Sequence, residues 1–130
     1  MKSDLLLDTN AYSDFGRRLK WLDVIPYAAQ IFIPLMVIGE LRSGFRNGRH
    51  FQKNEDDLQD FLSQGTVRVL APDLQTTFHY SIIFTDLKSR GIIIPQNDLW
   101  IAALAVQHGL WLCTSDAHFD HLPQLLRIQS

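Results

Sequence analysis

Short apolar runs alternate with longer segments of helical periodicity along this chain. Leu5-Leu6-Leu7, Ile31-Phe32-Ile33, Thr66 to Leu70 and Leu110 to Thr114 read as strands. The first, second and last show little polar alternation, as strands covered on both faces do. A helix is expected to begin near Thr9, Asn10 or Ser13, all good starters, and to run through Leu19 and Trp21. After Pro34, which suits a first turn, Val37, Ile38 and Leu41 make the apolar face of a second helix. Gly39 inside it costs about 1 kcal/mol relative to Ala, which a close backbone approach would explain. Asn54 reads as an N-cap with Glu55, Asp56 and Asp57 in the first turn. Leu58, Phe61 and Leu62 then form the stripe, and Gly65 the end. Asp73 starts a fourth helix through Phe78, Ile82, Ile83 and Leu87 to Gly91. Asn97 and Asp98 open a fifth, rich in Ala and Leu, closed by His108-Gly109. Ile92 to Ile94 fits either a short strand or a buried loop, and Leu125 to Ile128 a last edge strand.

Strand alternating with helix predicts an α/β fold around a mainly parallel sheet. With 130 residues, no internal repeat and no linker, residues 1–130 are expected to form one domain. The chain is 46% hydrophobic and 20% charged, which sets disorder aside for most of its length. Its net charge of −2 announces no global field for nucleic acid, leaving only local patches to bind it. Cys113, the only cysteine, is expected to be a small buried hydrophobe. Asp8 interrupts the first apolar run too early for a secretory leader, and no run is long enough to cross a bilayer. A reducing cytoplasm is the expected compartment.

Four acids stand out by position. Asp8 ends the first strand, Glu40 lies in the helix after the second, Asp98 begins a helix, and Asp116 follows the next strand. Each has an ordinary reading alone. Asp8 can cap a helix, and Glu40 can pair with Arg42 or Arg46. Right-handed strand–helix–strand connections, however, bring strand ends to one edge of the sheet, where ligands bind. Four carboxylates there repel unless some are protonated or a cation neutralises them. Oxygen donors, with no Cys partner and no His pair at helical spacing, favour Mg²⁺ or Mn²⁺ over zinc. Such a cage suits phosphodiester hydrolysis, where a divalent ion activates water and stabilises the transition state. Thr9, Asn10, Thr114 and Ser115 flank the acids. Ser115 reads best as turn chemistry, and Thr114 stays open between turn and carboxylate support. His118 fits capping better than contact with the acids. Arg42, Arg46, Arg49, His50 and Lys53 form one basic cluster, and Arg17, Arg18 and Lys20 another. Phosphate contact and a solvated helix face are equally good readings of both.

LLLDTNAY, VIGELRSG, GIIIPQNDLWIAALAVQHGL and LCTSDAHFD, in that order, resemble the PIN-domain ribonucleases, and most closely the VapC-type toxins. The resemblance spans essentially the whole chain. It implies a five-stranded parallel sheet of order 3-2-1-4-5 with helices on both faces, and it makes Ile92 to Ile94 a loop. It implies a Mg²⁺- or Mn²⁺-dependent endoribonuclease with Asp8, Glu40, Asp98 and Asp116 as catalytic and metal-binding residues. The implied substrate is a tRNA or rRNA. The implied partners are a second copy in a homodimer and a VapB-type antitoxin, with no membrane. Two rivals are an aspartyl-phosphate phosphoryl-transfer protein and a binding module that has lost its chemistry. The first would want a second Asp two residues after Asp8, where the chain has Asn10. The second sits poorly with four retained acids.

Overall fold

The structure is a computed structural model describing residues 2–129. Its five strands, all parallel, are β1 (Asp4–Leu7), β2 (Gln30–Pro34), β3 (Val67–Leu70), β4 (Trp111–Cys113) and β5 (Arg127–Ile128). They lie in the order β3-β2-β1-β4-β5. β1 is central, and Leu5, Leu6 and Leu7 are essentially inaccessible, which is why that run carries no polar alternation. Leu6 registers with Phe32 on one side, and Leu7 with Cys113 on the other. The edge strand β5 is short, two residues long, as exposed edges often are. Ile92 to Ile94 is a loop, with Ile94 turned into the core.

The helices are α1 (Thr9–Gly16), α2 (Leu35–Arg46), α3 (Phe51–Leu62), α4 (Leu74–Ser89) and α5 (Gln96–His108). α5 is the most deeply buried. Ala102, Ala103 and Leu104 are wholly enclosed, so small residues let it pack closely, and Gly109 ends it at φ 63°, the left-handed cap its sequence predicts. α4 lies antiparallel to it: Thr76 near the start of α4 donates to Gln107 near the end of α5 at 2.5 Å. Asp73 caps α4 with a reciprocal capping box through Thr76.

Three local expectations fail. α1 stops at Gly16 instead of reaching Trp21, because Arg18 and Trp21 adopt left-handed backbone (φ 59° and 69°). Trp21 is nonetheless buried, so the loop folds back to seat its ring, a tertiary gain that overrides local strain. α3 begins at Phe51, one turn before Asn54, and ends at Leu62 before Gly65. Its acids are therefore mid-helix and paired with side chains: Glu55 with Arg42 at 2.9 Å, Asp57 with Lys53 at 2.8 Å, Asp56 with Gln52 at 2.9 Å. Gly39 meets no close neighbour, since a Cβ there would have nothing within 4 Å, so nothing in the packing explains it.

Candidate metal centre

Asp8 takes its place from two elements. It is the N-cap of α1, accepting from the Ala11 N–H through Oδ1 at 2.8 Å. Its Oδ2 accepts from the Thr114 hydroxyl at 2.5 Å, across from β1 to the end of β4. The capping role and the siting at the sheet edge thus coexist in one side chain. Thr114 is itself buried and accepts the Asp116 N–H at 3.0 Å. One hydroxyl therefore fixes Asp8 and the backbone of Asp116 together, which decides the open question about Thr114 in favour of carboxylate support. Ser115 accepts from Lys20 Nζ at 3.0 Å, a long-range tether that the turn reading did not foresee.

Asp98 sits in the first turn of α5, where the helix dipole favours an anion. Asp116 opens a short 3-10 helix (Ala117–His121) and accepts the His118 N–H at 2.9 Å. The imidazole of His118 turns inward. Its Nδ1 lies 2.9 Å from Asp116 Oδ1 and 3.3 Å from Asp98 Oδ2. Of the two readings of His118, capping or contact with the acids, the structure shows the contact: it touches both acids. One ligand atom from each of Asp98, Asp116 and His118 falls within 4.8 Å of the other two, the geometry of a possible metal site.

All four acids share one cleft of about 480 Å³, lined also by Thr9, Asn10, Ile101 and the start of α5 from Pro95 to Asn97. Asp8 and Glu40 wall it without joining the tight trio. Glu40 forms none of the ion pairs among the described residues, and Arg42 is committed to Glu55.

The cleft is electrostatically uncomfortable. Burial, then Asp116, pushes the Asp98 carboxyl up to about 6. His118 pulls it down, and Asp8 and Glu40 push it further up. Asp98 therefore registers the field of the other three acids. Asp8 is raised as well, chiefly by burial, against the lowering pull of its hydrogen bonds to Thr114 and Ala11. Burial also drives the Cys113 thiol up to about 12, so it stays a protonated core residue. Among the described residues, Asp98 and Asp116 offer hard oxygens to the cleft with no Lys or Arg ion pair. That donor set fits a divalent cation of the Mg²⁺ class.

The chain is similar to several known proteins. The chain is 29% identical over 106 residues to Ribonuclease VapC2 of Rickettsia felis, covering 81% of this chain and 78% of that protein. Its fold superposes on the crystal structure of VapBC2 from Rickettsia felis, bound to a DNA fragment from their promoter. The TM-score is 0.87 at 26% identity, over 98% of each chain. It shares its fold with VapBC-5 of Mycobacterium tuberculosis, a member of the VapBC family of toxin-antitoxin systems. There the TM-score is 0.74 at 24% identity, over 98% of this chain and 99% of that one. Residues 5–125 match the PIN domain, and the chain belongs to the PIN-domain family.

Proposed function

We propose that the protein is a metal-dependent endoribonuclease that hydrolyses RNA phosphodiester bonds, acting as the toxin of a type II toxin–antitoxin pair. The observation that carries this reading is the convergence of Asp8, Glu40, Asp98 and Asp116 on one cleft of a PIN domain. Asp98 and Asp116 would hold the cation, with Asp8 and Glu40 completing its negative surroundings. Mg²⁺ or Mn²⁺ is the ion the oxygen donors suit. When bound, such an ion supplies Lewis acidity at the phosphodiester and a more acidic water.

The chain's own residues prepare the site. Thr114 orients Asp8, the Ala11 N–H fixes its other oxygen, and the His118 imidazole sits between Asp98 and Asp116, able to take or give a proton at Nδ1. Both Asp8 oxygens already accept hydrogen bonds, which disfavours Asp8 as the nucleophile of an aspartyl-phosphate enzyme.

The likeness to VapC2 and VapBC2 supports a VapB-type antitoxin as partner, and a tRNA or rRNA element as substrate follows from the family resemblance. A homodimer is supported by a stripe on α4. Leu74, Phe78 and Ile82, four residues apart, are 83%, 62% and 65% exposed, more apolar surface than a lone helix face usually leaves in water. Among the described residues no helix is long and apolar enough to cross a membrane. We place the protein in the cytoplasm on its likeness to the VapC-type toxins.

Incubating total RNA with the purified chain in Mg²⁺ and in EDTA, with the ends mapped, tests the reading. Discrete cuts that need Mg²⁺ and vanish in Asp98→Asn are expected. Equal cleavage by that variant, or none by the parent, overturns it.

A further inference from the structure

A second groove opens beside the acid cleft, between α1, α2 and the start of α3. It measures about 520 Å³ and shares two wall residues with the cleft, Thr9 and Glu40, so the two adjoin. Its charged lining is mostly basic: Arg17, Arg49 and Lys53, with His50 alongside. Two acids oppose them. Asp57 is engaged by Lys53 at 2.8 Å, and Glu40 stands at the shared wall. Arg17 and Arg49 are exposed, and among the described residues neither forms an ion pair.

The groove's walls are open at the backbone. Gly16, Gly44 and Gly48 line it, and a Cβ at Gly16 or Gly44 would meet nothing within 4 Å, so a ligand can approach the main chain there. The Tyr12 ring also lines it, held edge-on against Phe61 at 5.2 Å, a rigid surface on which a sugar or base can rest. The loop that follows Arg17 is fixed. Its left-handed Arg18 and Trp21, the burial of Trp21 and the Lys20–Ser115 hydrogen bond hold it between the groove and the end of β4.

We infer that this groove seats the sugar–phosphate backbone of the RNA strand on one side of the bond to be cut, with Arg17 and Arg49 as its phosphate contacts. The inference rests on the ribonuclease reading and adds the strand's path to it. Cations beside a carboxylate cluster answer a specific need. The acids repel a polyanion, so the affinity that brings RNA to the cleft must come from basic groups next to it. Arg offers phosphate a planar, bidentate partner that does not lose its charge. Both residues are positioning residues, remote from the reacting atoms.

The test is Arg17→Ala/Arg49→Ala, with Arg17→Lys/Arg49→Lys as the conservative control. Two readouts are needed. The first is binding of a fluorescein-labelled single-stranded RNA in EDTA across a KCl series. Loss of two phosphate contacts is expected to weaken binding at least about tenfold, and to lower the salt slope by about 1.4. The lysine pair should restore most of the slope. The second is cleavage in Mg²⁺, where KM should rise by a similar factor and kcat should change little. Should the double variant fold poorly by circular dichroism, each single variant is expected to lower the slope by about 0.7.

Unchanged affinity and slope in a folded variant overturn the proposal, whether or not the parent cleaves RNA. A parent that binds RNA through these arginines but never cuts it leaves the groove standing and removes the nuclease reading. Loss of affinity for a polyglutamate peptide, with RNA binding intact, would assign the groove to an acidic polypeptide and overturn the proposal.

Discussion

Two groups of acids in this chain have opposite fates. Glu55, Asp56 and Asp57 are consecutive in sequence, yet on α3 each faces its own partner, Arg42, Gln52 and Lys53. Asp8, Glu40, Asp98 and Asp116 are scattered over more than a hundred residues, yet they line one cleft in which, among the described residues, no Lys or Arg takes part. Sequence density of charge is therefore a poor guide to charge concentration in space. On α3, Gln52 and Lys53 lie four residues before the acids they meet, and α2 packed alongside supplies Arg42 for the third. At the carboxyl edge of a parallel sheet, topology gathers acids from separate segments, here with only the His118 imidazole among them. The first arrangement is stable as it stands. The second calls for a cation.

The largest effect that can break this contrast is on activity. Asp98→Asn and Asp8→Asn should each lower RNA cleavage by at least about two orders of magnitude, with the fold intact by circular dichroism. Glu55→Gln, in the other group, should cleave like the parent. Comparable losses from Glu55→Gln would erase the distinction.

Thr114→Val comes next. It keeps the volume and removes the hydroxyl that donates to Asp8 and accepts from Asp116. Loss of a buried hydrogen bond to an ionised group should cost about 1.5–3 kcal/mol in urea unfolding. Cleavage should fall because Asp8 is no longer held. Unchanged stability would mean that the hydroxyl does not carry the bond.

A smaller effect is expected in the pH dependence of the metal-free protein. The folded Asp98 carboxyl, at about 6, lies above its ordinary value of 3.8. The folded state thus holds its proton more tightly than the unfolded chain does. This contribution to stability is fully present below pH 3.8 and is lost as pH rises through about 6. In EDTA, thermal melts of the parent minus those of Asp98→Asn should fall between those limits and level off above them. Saturating Mg²⁺ should raise the parent's Tm at pH 7 and leave that of Asp98→Asn nearly unmoved. A difference that rises with pH would contradict the assignment of cause. The least effect belongs to Glu55→Gln on stability, where loss of an exposed ion pair should lower Tm only slightly, and less so in high salt.

Much of this was legible before any coordinates. The apolar runs of β1, β2 and β4 and the left-handed cap at Gly109 are local signals, and they fell where the sequence placed them. The quartet was legible because strand ends in a parallel sheet share an edge. Other features depend on what the chain meets in three dimensions. Leu19 and Trp21 continue a helical pattern, but α1 ends before them, Arg18 and Trp21 adopt left-handed backbone, and Trp21 is buried. Asn54 is a fine cap in isolation. Phe51 starts the helix a turn earlier, with the Arg46 guanidinium 4.9 Å from its ring centroid and its side chain half-buried. His118 was underrated because its neighbours Asp98 and Asp116 lie on different elements. The groove at Arg17 and Arg49 joins two basic clusters far apart in sequence, which only packing of α1 against α2 makes adjacent.

The most direct measurement is anomalous scattering from crystals of the full chain grown with Mn²⁺. The account predicts one or two peaks in the cleft, within about 2.3 Å of carboxylate oxygens of Asp98 and Asp116, and their loss in Asp98→Asn. A cleft without Mn²⁺ at saturating concentration, in a protein that still cleaves RNA in EDTA, would contradict it.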